Sequence, residues 1–459
     1  MIRSLFTKGW DLFRTRRVLV VCFLVSGLVQ VSIVGYMAYK GLTPSPRYDG
    51  TEYRILAQNL LQHGTFSTSP APPLLPELLR TPGYPLLLAA TYLIEPKGYL
   101  MLFLHVIGRL SIGWMIYRLC RRWLGLPYWI ATLVTSFWLF DTYTIFIGLQ
   151  TFSDTAFSFL VCLSFYLALV APQQRRTLYL SPLLLGFAIL VRPQGLALLP
   201  CLLAVFFFQS VRSPKQWLIL FLSALSIPMI WIGRNTLQVG TPILSSTREY
   251  NTVLGIGNAD HTYRGQLAEA HREHILPAVD LGDGKAPFRN NWLYTTEGYP
   301  ALRGVFDQVT REYGWKKSFL LYLRQTPRIW YGTTQITVFD SLEHYYTPIV
   351  RQILFAVDIV YVLFLASLGL VGLAFSLRTI REQRPRLLLC FALGIMLASF
   401  VNAGIVVHRV RTPLLPFALL LCAYGLSRVT RQARSPLYAT SLSTPAQMES
   451  EDSTTTTAL

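Results

Sequence analysis

Apolar residues along this chain fall in long, nearly unbroken runs separated by short polar and basic connections. The runs occupy about Val18 to Tyr39, Tyr99 to Leu119, Pro127 to Phe140, Thr155 to Val170, Leu178 to Val191, Gln194 to Phe208, Trp217 to Gly233, Ile349 to Leu377, Leu387 to Val407 and Pro413 to Leu426. Crossing the hydrocarbon of a bilayer as a helix takes about 20 residues, because the core is roughly 30 Å thick and each residue rises about 1.5 Å. The ten runs meet or approach that length and predict ten spans. One further run, Pro85 to Ile94, is too short to span and is expected to re-enter the membrane or lie in its interface. The predicted fold class is an all-α polytopic membrane protein with one short re-entrant or interfacial helix and an outer loop domain.

The basic residues test this arrangement, since counting Pro85 to Ile94 as a span would invert every later connection. With ten spans, the connections assigned to the cytoplasm hold 19 Lys and Arg against two acids, Asp11 and Glu382. The short outer connection from Asp141 to Ser153 holds no basic residue. Both termini are therefore expected in the cytoplasm. Val18 to Tyr39 follows Arg14, Arg16 and Arg17 but lacks a small-x-small cleavage pattern, so it reads as an uncleaved anchor. The expected divisions are residues 1–233, a transmembrane module with an outer loop at 40–84; 234–348, an outer loop domain; 349–428, the last spans; and 435–459, a disordered cytoplasmic tail rich in Ser, Thr and Pro.

Composition narrows the function classes. The chain is 52% hydrophobic and 14% charged, which excludes an ordinary soluble domain. Its formal charge of +18 does not imply a nucleic-acid partner, because much of the excess follows the topology. The six Cys form no Cys-x-x-Cys pair, and the seven His supply no zinc-ligand spacing. Phosphate-loop, zinc-protease and serine-hydrolase elbow motifs are absent. Gly255-Ile256-Gly257-Asn258-Ala259-Asp260 fails the dinucleotide fingerprint and reads as a turn in which Asn258 is a weak candidate for substrate contact. A helical pattern from about Ala301 to Tyr331 is expected to fold back on the membrane face.

The first outer loop carries the most specific pattern. Arg47-Tyr48-Asp49-Gly50-Thr51-Glu52-Tyr53 leads into Leu56, Ala57, Leu60 and Leu61, which with Tyr53 mark one face of an interfacial helix. Gly64 follows at the usual helix stop, and the loop closes on Arg80-Thr81-Pro82-Gly83-Tyr84-Pro85. Together with Phe152-Ser153-Asp154-Thr155, Leu190-Val191-Arg192-Pro193, Arg234-Asn235 and His408-Arg409-Val410-Arg411-Thr412-Pro413, this order resembles the C-type integral-membrane glycosyltransferases. It looks most like bacterial relatives of protein O-mannosyltransferases and lipid A aminoarabinose transferases. Many mannosyltransferases carry Asp-Glu where this chain has Asp49-Gly50, and often Glu where it has Asp154, so the sugar stays open.

The resemblance implies a polyprenyl-phosphate sugar donor, an acceptor hydroxyl on a lipid, glycan or protein, and inversion, at the outer face of a bacterial inner membrane. Asp49 is the candidate base; an N-cap, with Glu52 as the partner in a capping-box analogue, is the other reading. Asp154 is a candidate for acceptor orientation or helix capping. Arg80, Arg192, Arg409 and Arg411 are candidates to hold the donor phosphate, or to snorkel. Tyr53, Tyr84 and Glu52 are expected near substrate, and Asp141 is expected to be a solvated helix terminus. No cofactor is implied, and no Asp-x-Asp pair is present to hold a divalent metal. A glycan polymerase or ligase is the near alternative. A transporter or flippase is the distant one: Arg109, His105 and Asp358 are the ionisable residues well inside spans, and no internal repeat is visible.

Overall fold

The computed structural model describes residues 16–42, 44, 49–170, 174–209, 211, 213–263, 265–271, 291–326, 330, 348–401 and 411–441. The protein is an all-α polytopic membrane protein, and every apolar run forms helix over its described part. Helix α1 covers Arg16–Tyr39, α2 Asp49–His63, α3 Gly83–Tyr92, α4 Tyr99–Arg118, α5 Tyr128–Leu139, α6 Thr142–Gly148, α7 Asp154–Val170, α8 Arg175–Val191, α9 Leu199–Phe208 and α10 Pro214–Val239. The large loop contributes α11 Thr247–Ala259, α12 Gln266–His271, α13 Tyr299–Tyr313 and α14 Trp315–Gln325, and the chain ends with α15 Pro348–Arg378, α16 Gln383–Val401 and α17 Arg411–Ser441.

Among the described residues, six helices are long and apolar enough to cross a bilayer singly: α1, α4, α10, α15, α16 and α17. Helices α5 and α6 make a seventh if the pair, bent by 50° at Phe140 and Asp141, counts as one span. Shorter apolar helices at Asp154–Val170, Arg176–Val191 and Pro193–Phe208 fill the bundle between them. One apolar core runs through it, from Tyr53 and Tyr84 at one end through Trp138, Phe165 and Phe391 to Leu420 and Tyr424. Outward apolar side chains on α1, α10 and α15 stay exposed, as lipid-facing surfaces do.

Several expectations change. Gly255 to Ala259 lies inside α11 rather than in a turn, because Val253 and Ile256, three residues apart, bury one face against Val309 and Leu321. Packing of that face overrides the turn preference of the glycines. The pattern expected from Ala301 to Tyr331 forms two helices over its described part, starting at Tyr299, broken at Gly314, whose φ of 81° other residues rarely adopt, and ending at Gln325. Asp141 is buried and caps α6, accepting a hydrogen bond from Thr144 N at 2.8 Å, where a solvated terminus was expected. Helix α17 extends to Ser441, so the stretch assigned to the disordered tail starts as helix; residues 442–459 lie outside the described residues.

Candidate functional site

Helix α2 opens with Asp49 and Glu52, which stand three residues apart on one face beside the positive end of the helix dipole. Both hold Arg80. Its Nη2 lies 2.7 Å from Asp49 Oδ1 and 2.5 Å from Glu52 Oε2, and its Nε donates to Glu52 Oε2 at 2.7 Å. The guanidinium also lies over the Tyr53 ring, 5.4 Å from its centroid. Burial acts against the Arg80 charge, but Asp49 and then Glu52 outweigh it and hold the group protonated well above its ordinary range.

The loop that presents Arg80 is fixed by the large outer loop. Leu78 N donates to Tyr294 O at 2.7 Å, Thr247 Oγ1 donates to Leu79 O at 2.8 Å, and Glu77 forms an isolated antiparallel bridge with Thr295. The fully buried Glu77 carboxyl accepts from Thr68 Oγ1 at 2.5 Å and from Leu79 N at 3.2 Å. Burial pushes its pKa up to about 8 and Glu52 adds to this, against the opposing pull of Thr68 and Arg80, so at neutral pH it mostly keeps its proton. The Tyr294 phenol, held well above its ordinary range by burial and then by Glu52, brings a residue of the large loop to the same charges.

A second ion pair stands alongside. Asp154 is the first residue of α7. Arg192 follows the end of α8 in an extended conformation, φ −148° and ψ 124°, as expected for a residue before proline. Arg192 Nη1 pairs with Asp154 Oδ1, and Arg192 Nε donates to Gln194 Oε1 at 2.7 Å. The two centres meet through residues next to their carboxylates: Tyr53 Oη and Ser153 Oγ are hydrogen bonded at 3.1 Å. Gly83 closes the gap from the other side, since a Cβ there would lie 2.6 Å from Leu190 C and from Val191 N. Only glycine lets the Arg80 loop come this close to the backbone leading into Arg192. Tyr84 is fully buried next to it, edge-on to Tyr53 at 4.9 Å and stacked on His105 at 6.0 Å. A small crevice beside Arg192, with room for about one water, is walled by Phe157, Gln194, Leu198, Ala398 and Leu414.

The structure thus brings together Asp49, Glu52, Tyr53, Arg80, Tyr84, Asp154 and Arg192. Arg411 is buried rather than snorkelling, its guanidinium 4.4 Å from the Tyr143 ring centroid and its Nη1 3.5 Å from Trp330 O. Arg409 lies outside the described residues. Asn258 is exposed in the last turn of α11. Among the described residues, no group of three or more His, Cys, Asp or Glu gathers as a metal site. Sequence reasoning missed Ser153, Glu77 and Tyr294; the Ser153 neighbourhood was visible in its motif, while Glu77 and Tyr294 carried no local signal.

No family model matches the chain, and no curated protein matches it in sequence. The fold is similar to that of solved membrane-protein structures. One is the apo oligosaccharyltransferase of Archaeoglobus fulgidus, with a TM-score of 0.47 and 13% identity over 94% of this chain and 53% of that one. Another is oligosaccharyltransferase AglB of Archaeoglobus fulgidus in complex with an inhibitory peptide and a dolichol-phosphate, with a TM-score of 0.46 and 13% identity over 97% of this chain and 53% of that one. A third is ArnT of Cupriavidus metallidurans bound to undecaprenyl phosphate, with a TM-score of 0.35 and 14% identity over 92% of this chain and 81% of that one. The chain spans about half the length of the oligosaccharyltransferases it resembles.

Proposed function

We propose that this protein is a membrane glycosyltransferase that moves a sugar from a polyprenyl-phosphate donor to an acceptor hydroxyl, with inversion, on the extracytoplasmic face of a bacterial inner membrane. The observation that carries this reading is the pair of arginine–carboxylate centres, Arg80 with Asp49 and Glu52, and Arg192 with Asp154, joined by Tyr53 and Ser153 at one end of an apolar bundle. Glycosyl transfer from a lipid phosphate needs cations to hold the departing phosphate, a carboxylate to take the acceptor proton, and both within one oriented site.

In this reaction the acceptor oxygen forms its bond to the anomeric carbon as the bond from that carbon to the phosphate oxygen breaks. Asp49 accepts the acceptor proton, and the charge gathering on the polyprenyl phosphate falls to Arg80 and Arg192. Arg80 commits Nε and Nη2 to the two carboxylates, which leaves Nη1 for a phosphate oxygen. A phosphate drawing on Arg80 also loosens its hold on Asp49, weakening that charge pairing when the acceptor must be deprotonated.

The test is transfer from a synthetic polyprenyl-phosphate sugar by protein reconstituted in vesicles. Changing Arg80 or Arg192 to Gln should raise the donor concentration needed, since a charge-assisted bond to a poorly solvated anion contributes roughly 1.5 to 3 kcal/mol. Unchanged turnover in both variants, with normal insertion, would eliminate the phosphate role. For the face, Cys at the exposed Gln308 should react with an impermeant thiol reagent in intact cells and Cys at the exposed Gln174 should not, each compared with unsubstituted protein. The reverse pattern would place the site in the cytoplasm.

A further inference from the structure

Helix α14, Trp-Lys-Lys-Ser-Phe-Leu-Leu-Tyr-Leu-Arg-Gln from Trp315 to Gln325, is two-faced in a way the candidate site does not use. Leu321 and Gln325 are buried, and Tyr322 Oη lies 2.9 Å from Thr252 Oγ1 of α11. On the other side Trp315 is 74% exposed, and Phe319, Leu320 and Leu323 are each more than half exposed. At 100° per residue these four side chains form one stripe. Lys316 lies within it, Lys317 and Arg324 lie along its edge, and the helix contains no acid.

Two observations identify what covers that stripe. The helix rests on the end of an apolar span, with Phe319 and Tyr322 5.4 and 5.7 Å from Phe400 of α16. On α16 itself, Leu393, Met396 and Val401 are also more than half exposed, a surface that faces lipid in a membrane. The stripe on α14 therefore adjoins a lipid-facing surface at the depth where a span ends, and no described residue covers it. Its charges are all positive, complementary to anionic headgroups and not to a neutral surface.

We propose that α14 is an interfacial anchor that seats on anionic phospholipid in the leaflet on the site's side, apolar stripe in the acyl boundary and Lys316, Lys317 and Arg324 among the headgroups. Through the contact of Tyr322 with Thr252, and of Thr247 on the same α11 with Leu79, such seating bears on the loop that presents Arg80. The inference concerns the large loop and the membrane and does not depend on the chemistry proposed for the site.

The test uses the full chain carrying a spin label on Leu320→Cys, and separately on Leu323→Cys, in vesicles of phosphatidylcholine with or without phosphatidylglycerol. Unsubstituted protein exposed to the same label supplies the background from native cysteines. The label should be reached by oxygen in preference to a water-soluble nickel chelate in vesicles containing phosphatidylglycerol. Changing Lys316, Lys317 and Arg324 together to Gln should shift the balance toward the chelate, roughly fivefold per cation in the seating equilibrium. In phosphatidylcholine alone the charge change should matter little. A label open to the chelate in both vesicle types, shielded from both reagents by protein, or equally deep in both lipids and indifferent to the charge change, would each overturn the proposal.

Discussion

The two ion-paired centres differ in exposure and in stoichiometry. At the first, one arginine serves two carboxylates and the Asp49 side chain keeps 21% of its surface open; at the second, Arg192 pairs with an Asp154 side chain that is 0% exposed. A carboxylate that must meet a substrate hydroxyl needs an open edge, whereas a buried pair holds two helix ends in register. On the proposed reading, proton transfer falls to Asp49, while Asp154 holds Arg192 in place for the phosphate.

The largest expected effect would break this division outright. Asp49→Asn should leave the protein stably inserted and still able to bind donor, because the amide keeps the side chain's shape and Glu52 still holds Arg80. Transfer should fall about 10²- to 10⁴-fold, since the amide cannot take the acceptor proton. Near-normal transfer by this variant, beside an unstable Asp49→Ala, would reduce Asp49 to a cap and shift the search for a base to Glu52 or Asp154. Asp154→Ala should do the opposite. Leaving the mostly buried Arg192 without its carboxylate costs roughly 3–5 kcal/mol, so thermal unfolding in detergent should drop together with the donor affinity that Arg192 supports.

Smaller effects sharpen the contrast. Gly83→Ala forces a Cβ into the backbone at Leu190 and Val191 and should cost about 1–3 kcal/mol. Because it pushes the Arg80 loop away from Arg192, donor affinity should weaken together with melting temperature, whereas stability loss alone would mean that the centres work independently. The most gradual effect is a pH dependence. Glu77 is raised from 4.5 to about 8, so its contribution to stability is fully present below about 4.5 and is lost as pH rises through about 8. Wild type should lose up to about 1.4 kcal/mol per pH unit across that window from this group, and Glu77→Gln should flatten the slope. Equal slopes for the two proteins in a series of melting curves would show that Glu77 ionises freely in the folded state.

Much of the fold could be read from the sequence because a bilayer imposes a simple rule: apolar runs become helices, and all ten did over their described parts. Half of the site was legible for a related reason. Asp49, Arg80, Asp154 and Arg192 flank apolar elements, where ionised groups are costly and so stand out. Their pairing was not legible, because no local pattern shows that Asp49 and Glu52, some thirty residues earlier, will hold Arg80. Glu77 and Tyr294 escaped because their environment comes from contacts such as the bridge from Glu77 to Thr295, which no local periodicity encodes. Asn258 was misplaced by a glycine-rich string that reads as a turn but is folded as helix by the burial of Val253 and Ile256.

The hydrogen bond between Tyr53 and Ser153 has a thermodynamic consequence. Each partner is covalently next to a carboxylate of a different centre, so movement of one helix end is felt at the other through this polar contact. A ligand that shifts α2 when it binds at Arg80 thereby changes the free energy of occupying Arg192, and linkage makes the change reciprocal: whatever factor the first imposes on the second, the second returns. Replacing Tyr53 by Phe keeps the ring under Arg80 and removes this hydrogen bond, so the coupling should weaken to what the Gly83 contact still carries.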